Sequence, residues 1–260
     1  MECEVRAVNV EWEAIGTVED YLAWLSRARE KPYHRSLEQA RQEVAGIDPV
    51  AAARRSGATY RARDGGRGVF ALPFLGQRYA ISYPDFKVVA AATGREPSVY
   101  RQVILLHYLS LADDAWVPVG FVSFGSLPHG RPYEHSLQRA ALQPLARVYA
   151  EHPNHFGLAA QALGGQPLKV QNSRSMAFSF WPLPRLPMGI ALTPGDAEFP
   201  ARARLLVDVN TERWLPLYDA AIVGRLLCQT LQRLRPVEGR AVKLAEVLAQ
   251  DDGALYGAPS

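Results

Sequence analysis

Asp196 and Glu198 stand two residues apart in the stretch Gly195-Asp196-Ala197-Glu198-Phe199-Pro200, and Asp208 follows at the far end of an apolar run. Three carboxylates in such a set could divide general acid and general base roles, provided their surroundings push their pKa values apart. They could equally hold a hard divalent cation, which takes oxygen ligands and completes its shell with water. The competing reading is a polar turn followed by an aspartate that caps the next helical turn through Asn210-Thr211. Arg185, placed between Pro184 and Pro187, is the expected counter-ion, for a ligand or for a structural pair.

Histidine offers a second chemistry. Four of the six, His129, His135, His152 and His155, fall in one stretch of the chain. Imidazole is the commonest metal ligand and a usual axial ligand to haem, which makes His129 and His135 the metal-ligand candidates. The spacing fits no His-Glu-x-x-His helix, and His152 and His155 straddle Pro153, so separate surface histidines are the plainer expectation. His107 lies in an apolar helical run and is expected to be a neutral core histidine with a hydrogen-bond partner. Arg54, Arg55, Arg61, Arg63 and Arg67 form a basic cluster opposed only by Asp64. A phosphate nest at Asp64-Gly65-Gly66 is conceivable, but no Walker or dinucleotide glycine pattern is present, and a solvated hairpin face is the better reading. No Gly-x-Ser-x-Gly elbow occurs, and Cys3 and Cys228 sit near the start of the chain and in a core-type helix. Aromatic residues remain. Phe124, Tyr133, Phe180 and Trp181 could line a pocket for a flat ligand or a partner's loop, with Arg185 supplying charge.

These side chains must be positioned by elements that the hydrophobic pattern announces. Thr17-Val18-Glu19-Asp20 approximates a capping box for a helix carrying Val18, Leu22, Leu25 and Ala28, and Pro32 stops it. Ser36-Leu37-Glu38-Gln39 opens a second helix through Ile47, and Asp48-Pro49 starts a third that Gly57 ends. From Ala58 the period becomes two. Segments 59–63, 69–74, 79–83 and 87–90 read as strands joined by turns too short for parallel crossovers, hence an antiparallel meander. Val99–Leu111 is apolar on nearly every side and reads as a buried central helix. A Gly/Pro-rich segment follows from Trp116 to Tyr133. Glu134–His152 reads as two helical pieces divided near Pro144, and Asn154–Leu163 as a short helix closed by Gly164-Gly165. Strands are expected at 177–181, 188–192 and 203–209, then an amphipathic helix Leu217–Leu234. The expected fold is α+β: antiparallel sheet with a buried central helix and a C-terminal helix. Residues 1–57 are read as a helical extension packed on a 58–236 core, with 237–260 as a tail.

Composition bounds the rest. The 260 residues are 48% hydrophobic and 21% charged, which suits a globular core and excludes a largely disordered chain. Net charge is +3, too small for a general bias toward nucleic acid or anionic membrane. Only Lys31, Lys87, Lys169 and Lys243 are lysines, so an anion site would use guanidinium. Two distant cysteines suit a reducing compartment. The opening Met-Glu-Cys-Glu-Val-Arg is charged rather than apolar, and the apolar run 103–109 is too short to cross a bilayer, so a cytoplasmic protein is expected.

Three stretches together resemble a known family. They are Phe74-Leu75-Gly76-Gln77-Arg78-Tyr79 through Tyr83-Pro84-Asp85; Ile104-Leu105-Leu106-His107-Tyr108-Leu109 through Phe124, Leu127, Pro128, Gly130 and Tyr133; and Leu183-Pro184-Arg185-Leu186-Pro187 through Gly195–Pro200 and Val207-Asp208. Their order and spacing are similar to the prokaryotic domain of unknown function 3786, over roughly residues 35–235. The family carries no established activity to transfer. Some relatives look like fusions to a cysteine-rich iron–sulfur module of the corrinoid-protein type, which implies a corrinoid or iron–sulfur protein as partner. Two cysteines cannot hold a four-cysteine cluster, so that cofactor does not carry over. The resulting expectation is a cytoplasmic ligand- or partner-binding accessory protein, linked to corrinoid or one-carbon metabolism. The alternatives are a metal-assisted enzyme using Asp196, Glu198 and Asp208, or a histidine-ligated metal or tetrapyrrole binder.

Overall fold

The computed structural model describes residues 35–236 and 242–249. The helix expected around Val18–Ala28 lies outside them, as do Cys3 and most of the expected tail. Helix α1 covers residues 35–44 and buries Leu37, Ala40 and Val44 at helical spacing. Helix α2 (Pro49–Ser56) starts where the sequence announces it. The Asp48 carboxylate accepts from the Val50 and Ala51 amides at 2.8 and 3.2 Å, and the chain turns out at Gly57.

Strands β1 (Thr59–Arg63), β2 (Arg67–Phe74), β3 (Gln77–Tyr83) and β4 (Val88–Ala90) form the expected antiparallel meander, in that order. The β2–β3 connection is the two-residue turn Leu75-Gly76, with φ of 49° and 81°, the paired positive values of a hairpin turn that matches strand twist. Phe70, Leu72, Phe74, Tyr79, Ile81 and Val88 point inward and are buried. Helix α3 (Val99–Leu111) has the bounds its apolar run predicts, and ten of its residues are buried.

The second sheet is five-stranded and antiparallel in the order β5-β9-β8-β7-β6, with β5 Phe121–Ser123, β6 Gln166–Pro167, β7 Met176–Leu183, β8 Leu186–Thr193 and β9 Arg202–Asp208. Strands β7 to β9 are the three expected. The short edge strands β5 and β6 are not, because three- and two-residue strands carry no readable period. Between β5 and β6 the chain forms α4 (Arg131–Leu137), a π turn (Gln138–Leu142), α5 (Gln143–Val148) and α6 (Pro153–Ala162), and after β9 it forms α7 (Leu217–Arg233) and α8 (Leu244–Ala249). The break expected near Pro144 is this π turn. The Gln143 amide reaches back five residues to the Gln138 carbonyl, and the wider turn makes room for a proline ring that would clash with an ordinary helical carbonyl.

One hydrophobic cluster joins α1, α2, both sheets and α3 to α7. The Tyr108 hydroxyl on α3 ties it together, donating to the Ser56 carbonyl of α2 at 2.9 Å and accepting from the Arg185 amide of the β7–β8 turn at 2.8 Å. Helix α7 lies against β9 so closely that a Cβ on Gly224 would overlap a Leu205 methyl. Among the described residues no helix is long and apolar enough to cross a membrane.

Candidate functional site

Two openings flank the first turns of α7. The first is a cavity of about 200 Å3 between α3, α4, the π turn and α7. Tyr100, Tyr133 and Tyr218 give it aromatic walls, while Ser136, Arg225 and Gln229 add polar groups. Helical spacing puts Tyr218, Ala221, Ile222, Arg225 and Gln229 on one stripe of α7. Tyr133 is held at the meeting of two edge-on ring contacts, 6.4 Å from Phe124 and 6.3 Å from Tyr218. The π turn contributes Ala140, and such bulges recur at functional sites because they displace one residue from the helical register.

The second opening, about 240 Å3, is lined by Ser36, Gln39 and Glu43 of α1, His107 and Leu111 of α3, and Pro216. His107 has the hydrogen-bond partner expected of it, but it is a partly exposed histidine at the cleft wall rather than a neutral one sealed in the core. Its Nδ1 lies 2.6 Å from the buried Asp219 carboxylate, and its Nε2 lies 3.5 Å from Glu43. The side chain keeps 20% exposure. The Asp219 hydrogen bond holds its pKa above 6.5 against partial burial, with the Asp219 and Glu43 charges adding to the effect. Glu43, His107 and Asp219 are far apart in the chain, and no spacing announces them. The one available signal is a histidine in an otherwise apolar helix, which demands a polar partner.

The expected carboxylate set does not converge. Asp196 closes the β8–β9 loop: its Oδ1 accepts from the Glu198 and Phe199 amides at 3.0 and 2.8 Å, and its Oδ2 lies 2.8 Å from Arg174. Arg174 first, then these amides, hold its pKa below 3.8. Glu198 is exposed beside it. Asp208 stands at the opposite end of β9, buried, its carboxylate accepting from Val119 and Gly120 at 2.8 Å and from Asn210 at 2.9 Å. Those three amides fasten β5 and the following turn to β9. Arg185 pairs with none of the three carboxylates. Its guanidinium donates to the Arg55 and Arg54 carbonyls, satisfying the end of α2.

Of the aromatic candidates, Tyr133 lines the first cavity and Phe124 supports it from the core. Phe180 is buried, and Trp181 is 55% exposed on the outer side of β7, apart from both openings. His129 occupies a left-handed turn before α4 and His135 an exposed position on it, while His152 and His155 stack 5.0 Å apart around Pro153. Among the described residues no group of three His, Cys, Asp or Glu side chains could hold a metal ion. Arg54 pairs with Asp114 at 2.6 Å, and Arg61, Arg63 and Arg67 lie exposed on the first sheet.

The family model described as a domain of unknown function, DUF3786, matches residues 48–230, which takes in both sheets and all but the last residues of α7. No curated protein and no solved structure matches the chain.

Proposed function

The chain belongs to the DUF3786 family, and we propose that it is a binding protein whose cavity between α3, α4 and α7 takes a small, flat ring bearing a polar or acidic substituent. The observation that carries this reading is the conjunction of three tyrosines with Arg225 and Gln229 around one opening. Tyrosines offer flat apolar faces with polar ends, and few polar groups suffice to orient a ligand. A cavity of about 200 Å3 falls below the ~300–1,000 Å3 of pockets for drug-sized ligands, so the ligand is a single ring rather than a tetrapyrrole. On this reading a corrinoid enters only as part of a partner protein. The test is a thermal-shift titration with benzoate, 4-hydroxybenzoate and benzyl alcohol. Binding to the folded state raises the melting temperature with concentration, by an amount that Tyr133→Ala reduces. No shift with any of the three, or an equal shift in Tyr133→Ala, overturns the reading.

A second reading is favoured by one observation, the placement of His107 between Asp219 and Glu43 at the base of a cleft. A buried carboxylate that orients imidazole through Nδ1 leaves Nε2 to exchange protons with a bound molecule. Hydrolysis of p-nitrophenyl acetate by the wild type, at a rate well above that of His107→Gln, supports acid–base function. Equal rates remove it.

A further inference from the structure

The outer face of the four-stranded sheet carries cations and no anion. Residues 59, 61 and 63 of β1 share one face with 67, 69, 71 and 73 of β2, 78, 80 and 82 of β3, and 89 of β4, while the alternates in β2 to β4 are buried apart from the half-buried Tyr83. That face presents Arg61, Arg63, Arg67 and Arg78, all exposed, with Lys87 just ahead of β4. None of the four strands contains an aspartate or a glutamate; Asp64 and Asp85 sit in the turns at the margin. Arg63 stands directly opposite Arg67 in the ladder, an arrangement of like charges that costs stability. Among the described residues none of these four arginines forms an ion pair. Between the charges lies a floor of small side chains, Val69, Ala71, Pro73, Ala80 and Val89. An apolar centre with an arginine-rich rim is the anatomy of a protein–protein interface.

We propose that this face docks an acidic surface of a partner protein. Carboxylates of the partner would neutralise the Arg63–Arg67 opposition while its apolar side chains cover the Val/Ala/Pro floor. A second copy of this chain docked through the same face would set arginine against arginine, so the partner is a different protein. A single nucleic-acid strand is disfavoured because the face offers no aromatic ring on which bases stack.

The experiment measures binding of a labelled oligoglutamate peptide, and separately of a labelled single-stranded RNA, to the full chain at low ionic strength. The face is reversed in Arg61→Glu/Arg63→Glu/Arg67→Glu and neutralised in the corresponding triple Gln variant. Arg131→Glu/Arg139→Glu/Arg147→Glu, exposed positions on α4 to α5, makes the same change in net charge elsewhere. Oligoglutamate affinity falls at least ~tenfold in the reversed face and by a smaller factor in the Gln variant, and stays near wild type in the control. The Gln variant preserves the test if charge reversal disturbs folding. Equal loss in face and control variants overturns the proposal, since net charge alone would then be responsible. So does absence of oligoglutamate binding to the wild type, or RNA binding that is tighter than oligoglutamate binding and lost with the face.

Discussion

Asp208 and Asp196 show how much the role of a carboxylate depends on its surroundings. Removing the buried Asp208 side chain takes away the acceptor of three backbone N–H groups, those of Val119, Gly120 and Asn210. Asp208→Ala is expected to destabilise by roughly 1–3 kcal/mol, read as a lower urea midpoint, whereas Asp196→Ala on the surface is expected to cost little. Equal midpoints for the two variants would contradict the structural role assigned to Asp208. His107 has a pH signature of definite sign. Its folded pKa lies above the 6.5 of the unfolded chain. Its stabilisation is therefore complete below pH 6.5 and is lost as pH rises through the folded value. The melting-temperature difference between wild type and His107→Gln should shrink as pH increases. In NMR titration Asp219→Asn should lower the His107 pKa, because the largest cause of its elevation is then gone.

At the scale of elements, α3 is the test of the architecture. Leu106 is fully buried on this helix, while Arg63 is exposed at the end of β1. Leu106→Asp places an unpaired charge in the core and should cost several kcal/mol, with a corresponding fall in melting temperature. Arg63→Asp should be nearly neutral or slightly stabilising, since it converts the like-charged Arg63–Arg67 opposition into an attractive pair. Comparable losses at both sites would mean that α3 is not buried.

At the scale of the whole molecule, Cys228 reports global unfolding. It is fully buried on α7 in the common core, and burial pushes its thiol pKa up to about 12. Thiolate is the reactive form, so Cys228 in a Cys3→Ser background should resist iodoacetamide until the protein unfolds. Labelling as a function of urea should follow the same transition as circular dichroism. Labelling that runs ahead of that transition would show α7 opening independently of the core.

What is legible in the sequence is local. The Asp48-Pro49 start of α2, the Leu75-Gly76 hairpin, the extent of α3 and the period-two strands follow from caps, φ preferences and alternation within a few neighbouring residues. Of the four aromatics read as a pocket, only Tyr133 lines the cavity beside α7. Tertiary packing decided which groups meet. It separated Asp196 from Asp208 by the length of β9 and spent Arg185 on the carbonyls of α2. It also brought Glu43 and Asp219 to His107 from helices distant in the chain. A side chain's neighbours across the core depend on how sheets and helices stack. That stacking is chosen by the burial of dozens of apolar residues together, and no single spacing along the chain records it.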